Sequence, residues 1–352
     1  MLVKIQISSL MLGSRLFLKL LWHLFVFVTL LLCAWHHKTL LYLGAQAKGQ
    51  WRVITGSVSI QEYTQNTKLT ELQQQNLRVI DQIKQFSVDS LGYLSTHNFE
   101  RVYDQNHQPL LWVVTACKPY AFEAWEWQFP IVGRVTYKGY FERYEALKEM
   151  SEFRTKGYDV ELRTVSAWST LGWLHDPLLS ENLNMKHGDF CNLLFHELFH
   201  ASVYASDAVN QNENLAMFVA DKATRIFLSR DSLALSDYVS GEREDSVFTA
   251  FMLKSYRFLN NHYQKMPSTD KKQSLKCDAY KNLLDSLQAL PIKNKRRLKA
   301  KKESILRAQN AVFVDYAQYH SLQDSLDKVF NIIYKGNLKK MVRDLTHNAS
   351  NY

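Results

Sequence analysis

Apolar and polar positions follow different periods along the chain, and the changes of period mark out its elements. The first stretch has no period: residues 20–35 carry no formal charge and are mostly apolar, after Lys4, Arg15 and Lys19. Taken back to Leu16, with Lys19 reaching to the interface, the run attains the roughly 20 residues of a membrane-spanning helix. The cations ahead of it predict a cytoplasmic N-terminus and an exported body. Cleavage and lipidation compete with retention. Leu32 is bulky where both processes favour a small residue ahead of Cys33 or Ala34, and Ala45-Gln46-Ala47 lies too far downstream. Residues 1–36 are therefore expected to be a retained membrane anchor. His23, inside the run, would suit a buried core helix instead.

Patterning is weak over residues 50–63. Leu69, Leu72, Leu77, Ile80 and Ile83 then recur at helical spacing across 67–85. Residues 110–116 are β-rich and read as a buried strand, and 134–138 as a second extended piece. A helix is expected over 140–154, ended near Gly157, followed by an alternating strand over 160–171. Gly172 opens a turn that continues through Asp176-Pro177. Beyond Phe190 the periodicity is almost wholly helical, without repeats or a long linker. These elements predict an α+β, predominantly helical body over 37–352, with a small sheet in its N-terminal half and helices in its C-terminal half.

Composition supports an ordered chain. Of 352 residues, 46% are hydrophobic and 13% aromatic, with only 6 Pro, which excludes a disordered or low-complexity protein. Net charge is +9, yet residues 293–302 hold seven Lys or Arg and no acid, so the remainder is close to neutral. No aromatic or nucleic-acid motif is interleaved with that run. It reads as a solvated helix face between Leu290 and Leu306, and no nucleic-acid partner is expected; binding to nucleic acid or anionic lipid is the rival reading. Cys33, Cys117, Cys191 and Cys277 lack the paired spacing of a zinc knuckle or a disulfide scaffold.

The chemistry concentrates in His196-Glu197-Leu198-Phe199-His200, an H-E-x-x-H motif. On a helix, positions i and i+4 stack on one face, so His196 and His200 can offer two imidazole nitrogens to one ion. Glu197 lies one step round, placed to hold a water without being a ligand. Leu194 and Leu198 share a face, and Asp189 is a candidate N-cap. Twelve intervening residues separate His200 from Glu213, which opens a second helical pattern in which Ala216, Ala220, Ala223 and Phe227 form a small-residue stripe. Such a stripe lets two helices approach closely and points Glu213 at the same seam. Two His and one carboxylate leave a fourth position open, the arrangement of catalytic zinc. The competing view makes the histidines ordinary helix residues and Glu213 a first-turn acid favourable to the helix dipole. It requires ligand set and packing stripe to coincide by accident.

With these residues in view, the chain resembles a family of predicted bacterial aminopeptidases, zinc enzymes of the thermolysin-like H-E-x-x-H class. The resemblance runs through Tyr42-Leu43 with Gly49-Gln50, Phe129 to Gly133 with Tyr137 to Phe141, and Ser169 to Trp173 with Asp176-Pro177. It continues through the metal motif with Asn212-Glu213, then Asn310-Ala311 and Tyr319-His320. It implies a zincin-like metallopeptidase, exported or membrane-attached and so periplasmic in a bacterium. One zinc ion would be held by His196, His200 and Glu213, with Glu197 catalytic and a peptide as substrate. No G-x-M-E-N element, which holds a substrate amino terminus in one aminopeptidase group, is present.

In such an enzyme Glu197 takes a proton from the attacking water and passes it to the leaving nitrogen. The oxyanion needs a further donor, for which Tyr319 is the choice, with His320, Tyr204 and His262 behind it. Residues 169–172 would edge the cleft, and Asp221 would orient a ligand histidine or lie at the surface. An envelope zinc endopeptidase would use the same residues. A noncatalytic membrane scaffold is opposed by the intact Glu197.

Overall fold

The computed structural model describes residues 22, 37–129, 133–165, 175–205, 208–267, 271–292 and 294–349. The chain divides into two units, residues 1–52 and 53–352. Helix α1, His37–Gly56, is followed by β1, Ser57–Ser59, and α2, Ile60–Asn66. Residues 50–63 are thus largely helical despite their weak patterning. In the first unit Leu40, Leu41 and Trp51 of α1 are exposed, so no apolar stripe faces a core there.

The expected membrane attachment and exported localisation are corrected here. Among the described residues no helix is long and apolar enough to cross a membrane. Helix α1 is 20 residues long, but Lys38, Lys48 and Arg52 interrupt it, and a charge at the bilayer centre costs about 2.5–3.5 kcal/mol even on insertion scales. Apart from Trp22, the apolar run at 16–35 lies outside the described residues.

In the second unit, α3, Glu71–Phe86, begins with a reciprocal capping box. The Thr70 hydroxyl accepts from Gln73 N–H and the Gln73 side chain accepts from Thr70 N–H. Its buried face is Leu77, Val79, Ile80 and Ile83, close to the expected stripe. A π-helical turn, Ser87–Leu91, leads to β2, Arg101–Tyr103, and β3, Trp112–Cys117, the predicted buried strand. Strands β4, Trp127–Phe129, and β5, Gly133–Val135, pair antiparallel. Strand β6, Tyr137–Tyr140, and β7, Asp159–Thr164, flank β3 antiparallel on either side, with Val114 opposite Lys138 and Leu162. Between them lies α4, Arg143–Thr155, followed by Gly157 at φ +82°, as its role in ending the helix requires. Strand β8, Leu178–Leu179, runs parallel to β2, which pairs antiparallel with β1.

From there the described chain is helical. Helices α5, His187–His200, and α6, Val209–Phe227, precede the 33-residue α7, Ser232–Gln264. Then come α8, Lys272–Gln288, α9, Lys295–Ala308, α10, Asn310–His320, α11, Gln323–Ile332, and α12, Leu338–Ala349. The fold is α+β and predominantly helical, with its strands ahead of residue 180, as expected. One core joins α3, α5 and α6 through Ile80, Ile83, Leu194, Phe195, Phe199 and Val219. A second joins α7 to α10 through Met252, Leu259, Leu287, Ile305 and Phe313. The basic run lies on α9, which buries Leu298 and Ile305 and exposes Lys295, Arg296 and Lys299, but also Leu306.

Candidate metal centre

Helix α5 is the best-buried helix of the first core. Phe190, Leu194, Phe195, Leu198 and Phe199 are all buried, and each such side chain contributes about 1.5–3 kcal/mol. The helix starts at His187, ahead of the expected Phe190. Asp189 is therefore a first-turn acid and not the N-cap, a position Lys186 occupies without a side-chain cap. Gly188 permits the early start: a Cβ there would lie 2.7 Å from that of Tyr238 on α7. Burial raises the Asp189 carboxyl above its usual range.

One turn apart, His196 and His200 bring their Nε2 atoms to 3.0 Å. Glu213 Oε2 lies 3.4 Å from the first and 3.6 Å from the second. The three donors form one compact group. Ligands at 2.0–2.1 Å from a tetrahedral zinc stand about 3.3 Å from one another, so the three separations fit that ion. Burial pushes the Glu213 carboxyl up, but the two imidazoles outweigh it and bring it to about 2. Burial lowers the basicity of His200, and hydrogen bonding and charge from Glu213 more than restore it. Three donors converging on one point, with no Lys or Arg bonded to them among the described residues, could hold a metal ion. His200 Nδ1 is buried without a hydrogen-bond partner.

Glu213 reaches this position because both of its neighbours are tied down. Asn212 Oδ1 accepts from Ala205 N–H at 3.0 Å while its Nδ2 donates to Ala205 C=O at 2.7 Å, clamping the loop that leaves α5. Asn214, fully buried, donates to Asn210 C=O at 2.7 Å, and its Oδ1 accepts from Leu322 N–H at 2.9 Å. Its carbonyl also accepts from Gln323 Nε2. Sequence reasoning gave neither asparagine a role. The available signal was two poor helix formers flanking one acid inside a helix. The small-residue stripe is as expected: Ala216, Ala220 and Ala223 are fully buried. Phe227 stacks edge-on against Phe195 at 5.7 Å and Phe86 at 5.4 Å, closing the far end of the seam.

Glu197 adjoins the group. Burial raises its pKa, opposed by His196 and His200 and reinforced by Glu213 and by Asp176. Asp176, expected in a turn and in the family resemblance, has no chemical role in the sequence pattern. It is buried, its N–H donates to Asn98 Oδ1, and its carbonyl accepts from Phe99 N–H.

The other candidates separate. Tyr319 lies on α10, which packs against α6 and α7 and leads into the turn tied to Asn214. His320 stacks on Tyr316 at 4.5 Å, where burial and the Lys301 charge push it down to about 4. His262 stacks on Phe258 near the end of α7. Tyr204 belongs to the loop after α5 that precedes the clamped Ala205. Asp221 is partly exposed and bonds other partners than a ligand histidine. It accepts from Arg225 Nε at 2.8 and 2.9 Å and from Tyr238 O–H at 3.1 Å. The expected cleft edge at 169–172 lies outside the described residues.

The model of a protein family described as "Putative aminopeptidase" matches residues 41–349. No curated protein and no solved structure matches the chain.

Proposed function

The chain belongs to the "Putative aminopeptidase" family, and from that premise we propose that it is a zinc-dependent peptidase releasing residues from peptide amino termini. His196, His200 and Glu213 hold one zinc ion. The observation that carries the reading is the mutual spacing of 3.0, 3.4 and 3.6 Å among their donor atoms. A carboxylate that is not a ligand, Glu197, stands beside them in the H-E-x-x-H arrangement of zinc peptidases.

Bound zinc supplies Lewis acidity to an attacking water and to the scissile carbonyl. Glu197 acts on the water as general base. Its burial, which raises its proton affinity, suits a group that accepts a proton and then delivers it to the leaving nitrogen. The imidazoles and Glu213 keep their donor atoms aimed at one point because α5 and α6 are packed and the Asn212 clamp fixes the loop between them. Tyr319 is our choice of hydroxyl for the developing oxyanion, supported by the anchoring of the turn after it to Asn214, next to a ligand. Asp176, buried and close enough to Glu197 to act on its charge, belongs to the surroundings of the reacting centre.

The test is metal analysis of the purified chain together with hydrolysis of a peptide library, free and N-blocked. One zinc per chain and cleavage of free amino termini alone are expected. Glu197→Gln should keep the metal and lose about 10²–10⁴-fold in kcat. Cleavage of N-blocked peptides would make the enzyme an endopeptidase. Undiminished hydrolysis by Glu197→Gln would remove that residue from the mechanism.

A further inference from the structure

A cleft of about 650 Å³ opens between the end of β3, the end of α4, helix α8 and the junction of α9 with α10. None of the three metal donors, His196, His200 and Glu213, lines it, and the volume is that of a small-molecule site. Its charged lining is mostly basic: Lys118, Arg154, Lys156 and Lys276 against Asp159.

The cations fall into two pairs. Lys276 is 3% exposed and bonds Asp159 at 2.6 Å, and Lys118 bonds Glu123, so both are neutralised within the chain. Arg154 and Lys156, exposed at the C-terminal end of α4, are different. Among the described residues neither meets a carboxylate, and the contact made by Lys156 is with the Phe153 ring at 5.1 Å. The cleft therefore presents two uncompensated positive charges, one of them a planar guanidinium fork. A carboxylate offers one negative charge to that pair. A phosphate monoester offers −1.5 to −2 at pH 7, with three acceptor oxygens, and an arginine engages two of those oxygens at once.

A second observation concerns how the cleft is built. Gln309, in its lining, adopts φ +48°, ψ −122°, a conformation that L-residues seldom take. Strain of this kind persists where the surroundings over-determine it, characteristically at ligand sites. The next residue, Asn310, provides that determination. It is fully buried, its N–H donates to Asp159 Oδ2, and its Nδ2 donates to the carbonyls of Lys118 and Pro119. Its Oδ1 accepts from the hydroxyls of Tyr263 and Tyr280. One asparagine thus joins three walls of the cleft to the second core.

We propose that this cleft binds the phosphate group of a small phosphorylated molecule, held by Arg154 and Lys156 in the cleft that the Lys276–Asp159 pair also lines. The test is calorimetric titration of the full chain with phenyl phosphate and, separately, benzoate, which share a ring and differ in the anion. Runs are made at constant ionic strength, with and without prior chelation of metal. Phenyl phosphate should bind once per chain at a Kd of about 1 mM or tighter, at least tenfold tighter than benzoate, and equally well after chelation. The double variant Arg154→Gln, Lys156→Gln should bind at least tenfold more weakly. Lys295→Gln with Lys299→Gln, two exposed cations on α9, should leave binding unchanged. Circular dichroism melts check that each variant is folded. Absent binding, equal binding of benzoate, loss on chelation, or the same loss in the α9 variant would each overturn the proposal. Peptidase activity enters none of these readouts, so the outcome is independent of the function proposed above.

Discussion

Helices α5 and α6 hold carboxylates in opposite states at the two ends of their seam. At one end Glu213 faces two imidazoles and is driven down to about 2. At the other, Asp189 and Asp221 gather with Glu242 and Asp245 of α7, and burial with the neighbouring acids pushes Glu242 up to about 7. Arg225 and the Tyr238 hydroxyl attend to Asp221 there, yet they leave Glu242 with more negative neighbours than positive ones. Burial alone does not decide the charge of an acid on these helices; the partners facing it do. Donors converging on one point favour a cation from outside, whereas crowded acids favour uptake of a proton.

The largest expected effect comes from breaking the metal end. Glu213→Ala should reduce bound zinc from about one per chain to near none and abolish hydrolysis, because two histidines alone leave the ion short of its third ligand. The same variant tests the linkage of metal to stability. At free zinc 100-fold above Kd, binding stabilises the wild-type fold by about 2.7 kcal/mol. Chelation should therefore lower the wild-type melting temperature and leave that of Glu213→Ala unchanged. An equal drop in both would place the metal elsewhere.

A similar effect on stability, with a different signature, is expected from Asn214→Ala. It removes the acceptor of the part-buried Leu322 N–H and a bond to the Asn210 carbonyl, at a cost of about 1–3 kcal/mol if the Leu322 N–H is left unsatisfied. Urea unfolding gives the loss. Zinc stoichiometry should hold at one, since Glu213 stays, while kcat falls if the turn after Tyr319 depends on this tie. Unchanged kcat at full metal loading would detach Tyr319 from catalysis.

The smallest effect sharpens the acidic end. A carboxyl whose folded pKa of about 7 exceeds the ordinary 4.5 takes up a proton more readily in the folded chain. Its contribution to stability is thus fully present below about pH 4.5 and is lost as pH rises through 7. Glu242→Gln should remove that loss. We expect a gain of about 1–2 kcal/mol at pH 8, reduced from the full shift because Glu242 is only partly buried and solvent screens it. At pH 4 there should be no gain. Denaturant titrations at the two pH values check both halves, and a variant no more stable than wild type at pH 8 would mean that Glu242 is ionised at no cost.

Much of this was readable along the chain where one element supplies its own pattern. The stripe of α3, the strand β3, the stop at Gly157, the H-E-x-x-H spacing and the alanines of α6 each depend on local periodicity or conformation. The unread parts depend on partners distant in sequence. Helix α1 lacks a stripe, and its apolar residues gave no period to follow. Helix α5 starts ahead of its sequence pattern because Gly188 answers to Tyr238, fifty residues on. The partner of Asp221 is unreadable because nothing near it in sequence reveals Tyr238.

The sequence by itself determined that His196 and His200 share one helix face. At 3.6 residues per turn, a spacing of four puts the two histidines on one face whatever surrounds them. Only the tertiary structure brought Glu213 Oε2 to 3.4 and 3.6 Å from the two imidazoles, left Asp221 with Arg225 and Tyr238, and framed a basic cleft with Asn310 and Gln309. A helix fixes angles among its own side chains through its backbone hydrogen bonds. Which face meets which neighbour, and so which charges share a low-dielectric space, is settled by packing contacts made across more than a hundred residues of chain.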